Sequence, residues 1–334
     1  MDAEGRVYHL GVKRGDLSPH ILTVGDPTRL RRFSSFLDPD SITFDSTSSR
    51  GFTVVTGTYR RKGVSLVAIG MGVSSMDFLV REARAVIDGP IAIIRFGSCG
   101  SLSPSILPVG SIGVPKRAIQ ISTNYDYLPA SFSAQGDSNE EGGKAYTESR
   151  PFEADGELQD ANTVGKTGTK VVDLEGHASA DCFYSTQGRL DPAFLDNNET
   201  LIPDLLEKVP ECKSLEMETA HLFYLSSIAA PLSSSADSSH VPSIRAAACH
   251  MTFAARSVPP SSSSHTSTST SALAAAPPPP PVDAASAVGQ ATQHEVKGEE
   301  GGDEQAVFID PDTVERLERE VGKGVLDALV GFEL

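Results

Sequence analysis

The chain has 334 residues, of which 39% are hydrophobic, and its formal net charge at pH 7 is −16. It is long enough to bury the core of a globular domain, but its acidity argues against a general nucleic-acid binder, because such proteins usually carry a basic surface. No run of about 18 apolar residues is present and residues 1–8 are polar, so we expect neither a membrane-spanning helix nor a secretory signal.

Apolar runs alternate with helical patterns along the first part of the chain. Residues 20–27 predict a short strand that ends in a Gly-Asp-Pro turn, and a helix is predicted over 28–37. Residues 52–72 predict a β-hairpin, and residues 76–87 carry apolar side chains at helical spacing. A buried strand is predicted over 91–102, where it ends in a glycine-rich turn.

The alternation continues in the second part of the chain. The remaining predicted elements are strands within 111–121 and 169–180, a helix over 214–228, a strand over 245–256 and an amphipathic helix over 310–332. Strands that alternate with helices predict a single α/β domain with a mixed central β-sheet flanked by helices.

Two segments interrupt this pattern. Residues 259–306 are rich in Pro, Ser and Ala and end in an acidic cluster, a composition that buries too little apolar surface to offset the entropy of ordering. We therefore predict a disordered insertion there, and a domain formed by 7–258 and 307–334. A weaker interruption over 133–150 predicts a solvated loop.

The four cysteines, Cys99, Cys182, Cys212 and Cys249, are scattered along the chain. They form no C-x-x-C pair, which argues against a zinc ribbon and against a disulfide scaffold. Isolated thiols are typical of a reducing compartment, so we expect a cytoplasmic protein. We expect no nucleic-acid partner and no membrane partner.

Three glycine-bearing turns follow apolar strands, at Gly25, at 70–72 and at 97–100. Ligands of open α/β sheets bind at the carboxyl ends of strands, where glycine lets backbone N–H groups approach an anion. Arg29 and Arg95 lie beside two of these turns, and arginine donates paired hydrogen bonds to phosphate oxygens. The turns match neither the Walker A motif nor the G-x-G-x-x-G dinucleotide fingerprint, so they predict an oxyanion site of another kind.

Several short motifs occur in a fixed order along the chain. They are YHLG (8–11), GDPTR (25–29), an isolated Arg50, GMG (70–72), IRFGSCG (94–100), CFYSTQGR (182–189) and LEMET (215–219). Together they resemble the nucleoside phosphorylase family, over about 8–256 and again in the last helix. The Q-x-R pair of Gln187 and Arg189 is similar to the pair found in the branch of this family that cleaves uridine.

The resemblance implies that inorganic phosphate attacks the anomeric carbon of uridine, which yields uracil and ribose 1-phosphate. It implies phosphate as a co-substrate, no metal and no organic cofactor. Fixed donors are needed to hold an anionic nucleophile against a carbon that becomes positively charged. The matching phosphate-binding positions are Gly25, Arg29, Arg95 and Ser98, with Arg50 supplied by a neighbouring subunit.

The resemblance also implies the residues that bind the nucleoside: His9 from the partner subunit, Ser98, Phe183, Gln187, Arg189, Glu216, Met217 and Glu218. Among all these positions, Arg95, Gln187, Arg189 and Glu218 are the implied catalytic residues. Glu218 would hold the ribose hydroxyls above Met217. Gln187 would pair with the uracil amide edge, and Arg189 would stabilise charge on the leaving uracil. The shared residues imply a homodimer or a larger homo-oligomer.

Taken singly, these residues have ordinary structural explanations. Glu216 and Glu218 at the start of a helix would interact with its dipole, Phe183 would belong to the core, and His9 near the terminus would lie on the surface. His250, in an apolar context, is predicted in the core. It is the joint order of the motifs that favours the functional interpretation.

Two alternatives stay open at this point. One is a purine or broad-specificity nucleoside phosphorylase, and the other is a non-catalytic member of the fold. Purine-cleaving members of the family protonate the base with an aspartate on the strand after the E-M-E motif, and here that strand reads TFAARS (252–257) without a carboxylate. The implied catalytic residues are all present, which argues against a non-catalytic protein.

Overall fold

A mixed β-sheet lies at the centre of the protein in the computed structural model, which describes residues 1–127, 143–161, 168–231, 243–256 and 308–334. The predicted insertion over 259–306 lies outside the described residues, as does most of the predicted loop over 133–150. The prediction of a mixed α/β fold is confirmed.

The described residues form thirteen strands and six α-helices. The strands are β1 (His20–Val24), β2 (Phe44–Thr47), β3 (Thr53–Tyr59), β4 (Lys62–Ala68), β5 (Ile91–Ser101), β6 (Ile112–Pro115), β7 (Arg117–Thr123), β8 (Tyr146–Glu148), β9 (Phe152–Glu153), β10 (Val171–Leu174), β11 (Gly176–Ala180), β12 (Cys212–Glu216) and β13 (Ile244–Ala255). The helices are α1 (Pro27–Ser34), α2 (Val73–Val86), α3 (Gly156–Ala161), α4 (Leu201–Lys208), α5 (Thr219–Ile228) and α6 (Pro311–Gly331).

Strand β5 lies in the middle of the sheet and pairs with β1, β12 and β13. The main strand order is β2-β3-β4-β1-β5-β12-β11-β7-β8, and β5 pairs in parallel with β1 and, along most of its length, with β13. At its carboxyl end β5 also pairs antiparallel with β12. The chain segments that follow β1 and β12 therefore meet beside the second half of β5, near the middle of the sheet.

Helices cover both faces of this sheet. Alternate residues of a strand point to opposite faces, and Ile93 packs with α2 and α5 while its neighbour Ile94 packs with α1 and α6. Ile91–Ser101 accordingly has an almost continuous buried run rather than an alternating one. Burial on both faces makes β5 a rigid support for the polar residues near its end.

Helices α1 and α6 begin with the same local signal. In each, an aspartate caps the helix and a proline follows it, an arrangement that satisfies exposed N–H groups and presets the first helical φ angle. Asp26 accepts from the N–H groups of Thr28 and Arg29, and Asp310 accepts from the N–H of Thr313 at 2.8 Å. The predicted Gly-Asp-Pro turn is thus the cap that directs Arg29 along the first helix.

Two local predictions differ from the structure. The predicted helix over 214–228 is wrong at its start, because Cys212–Glu216 forms strand β12 and the helix begins at Thr219. Pairing with β11 and β5 decides this boundary, and such pairing is invisible to local periodicity. Within the predicted loop, Tyr146–Glu148 forms strand β8, because Tyr146 is buried and its hydroxyl donates to the Asp196 carbonyl at 2.6 Å. Among the helices of the described ranges, none has the length and apolar character to cross a membrane.

Candidate active site

A cavity of about 460 Å³ opens where β1 and β12 end, beside the second half of β5. Of the residues singled out by the sequence, it is lined by Gly25, Arg29, Arg95, Ser98, Phe183, Gln187, Arg189, Glu216, Met217 and Glu218. Strand β1 ends beside the middle of β5, and β12 runs antiparallel to the last part of β5. The ends of β1 and β12 therefore approach each other across β5, which brings together residues from distant parts of the chain. His9 and Arg50 do not line this cavity.

Arg29 is held on three sides at one end of the cavity. Its Nε donates to Glu318 at 2.8 Å and its Nη2 donates to the Ser98 hydroxyl at 2.9 Å. The guanidinium also lies 5.3 Å from the centroid of the Phe96 ring, within the range of a cation–π contact. An arginine fixed in this way presents its remaining N–H donors in a constant direction, which suits recognition of an oxyanion.

Arg95 occupies the centre of the site, on β5, and is 4% exposed. Its Nε donates to Glu216 at 3.2 Å, and its Nη2 donates to Glu218. Its Nη1 is buried without a hydrogen-bond partner among the described residues. Buried donors are normally satisfied, so Arg95 has capacity for one more acceptor, such as an oxygen of a bound ligand.

The carboxylate oxygens of Glu216 accept hydrogen bonds from other groups of the protein. The carboxylate accepts from the backbone N–H of Glu218 at 2.9 Å and of Thr219 at 3.0 Å, from the Ser179 hydroxyl, and from Arg95. The pKa of Glu216 lies well below its usual value, because hydrogen bonding and attraction to His177 and the charge of Arg95 outweigh the opposing effect of burial. Glu216 therefore caps α5 and holds Arg95, as the dipole interpretation anticipated.

Glu218 is the carboxylate with capacity left for a ligand. It is 2% exposed, and it accepts from the backbone N–H of Gly72 and from Arg95. Burial, reinforced by repulsion from Glu216, raises the pKa of Glu218 to about 7 in spite of the attraction of Arg95. A perturbed carboxyl group in a cavity is typical of a functional position.

The other end of the cavity pairs an amide with an arginine. Arg189 Nη1 donates to Gln187 Oε1 at 3.0 Å, and the Arg189 guanidinium lies 3.9 Å from the centroid of the Phe183 ring. Because Oε1 accepts from Arg189, the amide nitrogen of Gln187 points away from this guanidinium. Phe183 is 42% exposed, so it does not belong to the core.

Phe253 on β13 and Arg256 just after it also line the cavity, although sequence reasoning gave neither a role. Arg256 donates from Nη1 to the backbone carbonyl of Gln187, so it supports the amide end of the site. The only sequence signal for these residues is their place at the end of a long buried strand, because their contacts are with residues far away in the chain.

A pair of stacked histidines lies beneath the site. The rings of His177 and His250 are parallel within 6° and 4.7 Å apart, and a Cβ at Gly97 would lie 2.5 Å from His250 Nδ1. Burial holds the pKa of His250 well below its usual value, so its ring is neutral, and its predicted core position is confirmed.

Ligand atoms of His177, His250 and Glu216 lie within 4.8 Å of one another. An imidazole lone pair lies in the plane of its ring, and two parallel stacked rings do not direct their lone pairs to one point. The cluster is therefore poorly arranged for a metal ion and better suited to support Glu216.

His9 and Arg50 lie together at another place on the protein. His9 Nδ1 is 2.7 Å from Glu82 Oε1 and its ring stacks on Phe78 at 3.7 Å, while Arg50 donates to the Tyr8 hydroxyl. These contacts hold both side chains away from the cavity of this chain. The resemblance assigns His9 and Arg50 to the site of a neighbouring subunit, and these two residues lie outside the cavity. The other residues that it names line the cavity.

Comparison with known proteins gives consistent matches. The family model described as the phosphorylase superfamily matches residues 19–230. A uridine phosphorylase of Thermococcus kodakarensis is 29% identical over 229 residues, which are 67% of this chain and 73% of that protein. A DeoD-type purine nucleoside phosphorylase of Caldanaerobacter subterraneus is 38% identical over 98 residues, which are only 29% of this chain and 41% of that protein.

Solved structures extend the similarity to the whole fold. A structure from a study of two uridine phosphorylases of the oomycete Phytophthora capsici has a TM-score of 0.73 and 28% identity, and the match covers 99% of this chain and 96% of that one. A nucleoside phosphorylase of Trypanosoma brucei, described as showing uridine phosphorylase activity, has a TM-score of 0.65 at 19% identity and covers 99% of both chains. At that identity the second match supports the fold alone.

Proposed function

This chain belongs to the phosphorylase superfamily, and from that premise we propose that it is a uridine phosphorylase. In the proposed reaction, inorganic phosphate displaces uracil from uridine and ribose 1-phosphate is formed. The enzyme is thus a pentosyltransferase that needs phosphate as a co-substrate and neither a metal nor an organic cofactor. We propose that it acts in the cytoplasm, in pyrimidine nucleoside salvage.

The observation that carries this proposal is the pairing of Gln187 with Arg189. Arg189 Nη1 donates to Gln187 Oε1 at 3.0 Å, which holds an arginine donor beside an amide that carries both an acceptor and a donor. Together the two side chains would offer a base two donors and one acceptor. The edge of uracil offers the complementary pattern of O4, N3–H and O2. Cytosine presents an amino donor and a ring acceptor there, so it would leave polar groups unpaired, and that mismatch is costly in a buried site.

The remaining polar side chains of the cavity would bind the phosphate and the ribose. Arg29 and Ser98 would hold phosphate at one end of the cavity, and Arg95 would add a donor to it. Glu218 would accept hydrogen bonds from the ribose hydroxyls, which orients the anomeric carbon toward the phosphate. As phosphate forms a bond to this carbon, the bond to uracil breaks and its electron pair moves onto the base, where Arg189 would stabilise the developing charge.

The same cavity makes a purine-cleaving enzyme the weaker candidate. Arg256, not a carboxylic acid, lines the cavity after the strand that follows the E-M-E motif. Within the described residues, this strand therefore places no acid in the cavity to protonate a departing purine. The partial match to purine nucleoside phosphorylases covers too little of the chain to favour this alternative. A non-catalytic protein is disfavoured by the fixed geometry of Arg29, Arg95 and Glu218.

The proposal is tested by measuring phosphate-dependent release of the base from uridine, cytidine and inosine by the purified full chain. We expect uracil release from uridine that requires phosphate and exceeds cleavage of the other two nucleosides by about a hundredfold or more. Omission of phosphate is the control. Faster cleavage of inosine would instead support a purine nucleoside phosphorylase, and no cleavage of any nucleoside would support a non-catalytic protein.

A further inference from the structure

The last helix brings a carboxylate to the phosphate end of the cavity. Glu318 on α6 is 3% exposed, and its Oε1 accepts from Arg29 Nε at 2.8 Å. Its Oε2 accepts from Arg32 Nη1. The two arginines neutralise the charge of the buried Glu318 carboxylate. Loss of this carboxylate would leave two neighbouring positive charges without a negative partner.

The backbone of α6 is fixed against the same region. Glu318 and Gly322 lie one helical turn apart and share a face of the helix. A Cβ at Gly322 would lie 2.4 Å from Cε1 of Phe33, so the helix touches this ring directly. Phe33 packs on Phe96 with ring centroids 5.5 Å apart, and Phe96 is the ring next to the guanidinium of Arg29. One face of α6 therefore supports Arg29 through both a carboxylate and a stack of two rings.

We propose that Glu318 is a positioning residue for the phosphate substrate, because it fixes the guanidinium of Arg29 from the last helix. The proposal rests on the proposed function, in which Arg29 binds phosphate. Glu318 binds Nε of the guanidinium and Ser98 binds Nη2, and Nη1 has no hydrogen-bond partner within the described ranges. An arginine held at two of its nitrogens loses little further conformational freedom when the third donates to an anion.

Removal of this carboxylate has two effects of opposite sign. It abolishes a repulsion between Glu318 and a bound phosphate, and it also frees the side chain of Arg29. The charge of Glu318 is already neutralised by Arg29 and Arg32, so we expect the loss of orientation to dominate. Phosphate should then bind more weakly, while the end of the cavity that binds the base stays unaffected.

The test compares Glu318→Gln with Glu320→Gln in the full chain. Glu320 lies on the same helix but accepts from Arg316 at 3.1 Å and from the Thr169 hydroxyl at 2.8 Å, and it does not line the cavity. Inorganic phosphate is titrated by calorimetry, and KM values for phosphate and uridine are measured separately. We expect the Kd and the KM of phosphate to rise at least about tenfold in Glu318→Gln. Glu320→Gln should match the unaltered protein, and the KM of uridine should change little in either variant.

The outcomes separate this proposal from the function on which it rests. Equal or tighter phosphate binding by folded Glu318→Gln would overturn the role of Glu318 alone, whereas absence of phosphate binding by the unaltered protein would overturn both. If Glu318→Gln does not fold, Glu318→Asp replaces it, because Asp keeps the charge but is one methylene shorter. We then expect a rise in the phosphate Kd of at least about threefold, and an unchanged Kd would overturn the proposal.

Discussion

Glu218 is a buried carboxyl group whose charge depends on pH in the neutral range. Its pKa is raised to about 7, so the carboxylate form decreases as the pH falls from 8 to 6. Only that form has full capacity to accept hydrogen bonds from ribose hydroxyls. We expect kcat/KM for uridine to fall on the acid side, by about tenfold for each pH unit below the pKa.

The pH profile must be separated from the titration of phosphate itself. Glu218→Gln serves for this purpose, because it removes the titrating group and leaves the substrate unchanged. We expect this variant to be weakly active and to lack the part of the acid limb that Glu218 contributes. An identical acid limb in both proteins would contradict the assignment.

Gln187 offers a second test at the level of single residues. Gln187→Leu removes the amide that would face uracil in the proposed function, and it removes the acceptor of Arg189 Nη1, while the backbone carbonyl that binds Arg256 is retained. We expect kcat/KM for uridine to fall by about a hundredfold or more, with phosphate binding unchanged. Gln120→Leu, on β7 and outside the cavity, is the matched control. A smaller loss for Gln187→Leu than for this control would exclude the proposed base contact.

The pairing of β5 with β13 depends on one glycine. Gly97→Ala would place a methyl group 2.5 Å from His250 Nδ1, so the strands or the imidazole must shift. We expect a loss of about 1–3 kcal/mol in the free energy of unfolding, as is typical of overpacked cores. Chemical denaturation measures this change. Gly156→Ala, where no atom lies within 4 Å of the added Cβ, is the control, and equal stability of both variants would contradict the prediction.

Elements with strong local signals could be predicted from the sequence, and elements defined by pairing could not. Both strand β5 and helix α6 were evident, since a long apolar run and an Asp-Pro cap are local features. The boundary between β12 and α5 was missed because it is decided by the pairing of β12 with β11 and β5, which local periodicity does not show. The glycine turns located the cavity, but Glu318 was missed because its partner Arg29 lies 289 residues away in the chain.

At the scale of the whole molecule, His9 and Arg50 lie away from the cavity of their own subunit, as would suit residues that serve a neighbour. We expect an Arg50→Ala protein mixed with a Glu218→Ala protein to regain activity, because a mixed dimer keeps one intact site. With random exchange of equal amounts, half of the dimers are mixed and half of their sites are intact, which gives about a quarter of full activity. No recovery after subunit exchange verified by mass spectrometry would argue against shared sites.

The predicted insertion over 259–306 joins two parts of the chain that meet in the structure. The N–H of Ile309 donates to the carbonyl of Phe253 at 2.9 Å, so a short Gly-Ser linker can replace the insertion. The entropy of loop closure changes slowly with length, by roughly 0.6 kcal/mol for each doubling. We expect nearly the same melting temperature after replacement, and a fall of about ten degrees or more would show that the segment contributes to the fold.

The contact between Arg29 and Glu318 also bears on how the protein is made. The two residues are 289 positions apart, and a ribosome that adds about 5–20 residues per second needs roughly 15–60 s to pass from one codon to the other. During that time the nascent chain contains Arg29 without Glu318, and the strands of the sheet without α6. A chain released before α6 is translated would therefore lack Glu318, and its Arg29 would have only Ser98 and the ring of Phe96 to hold it.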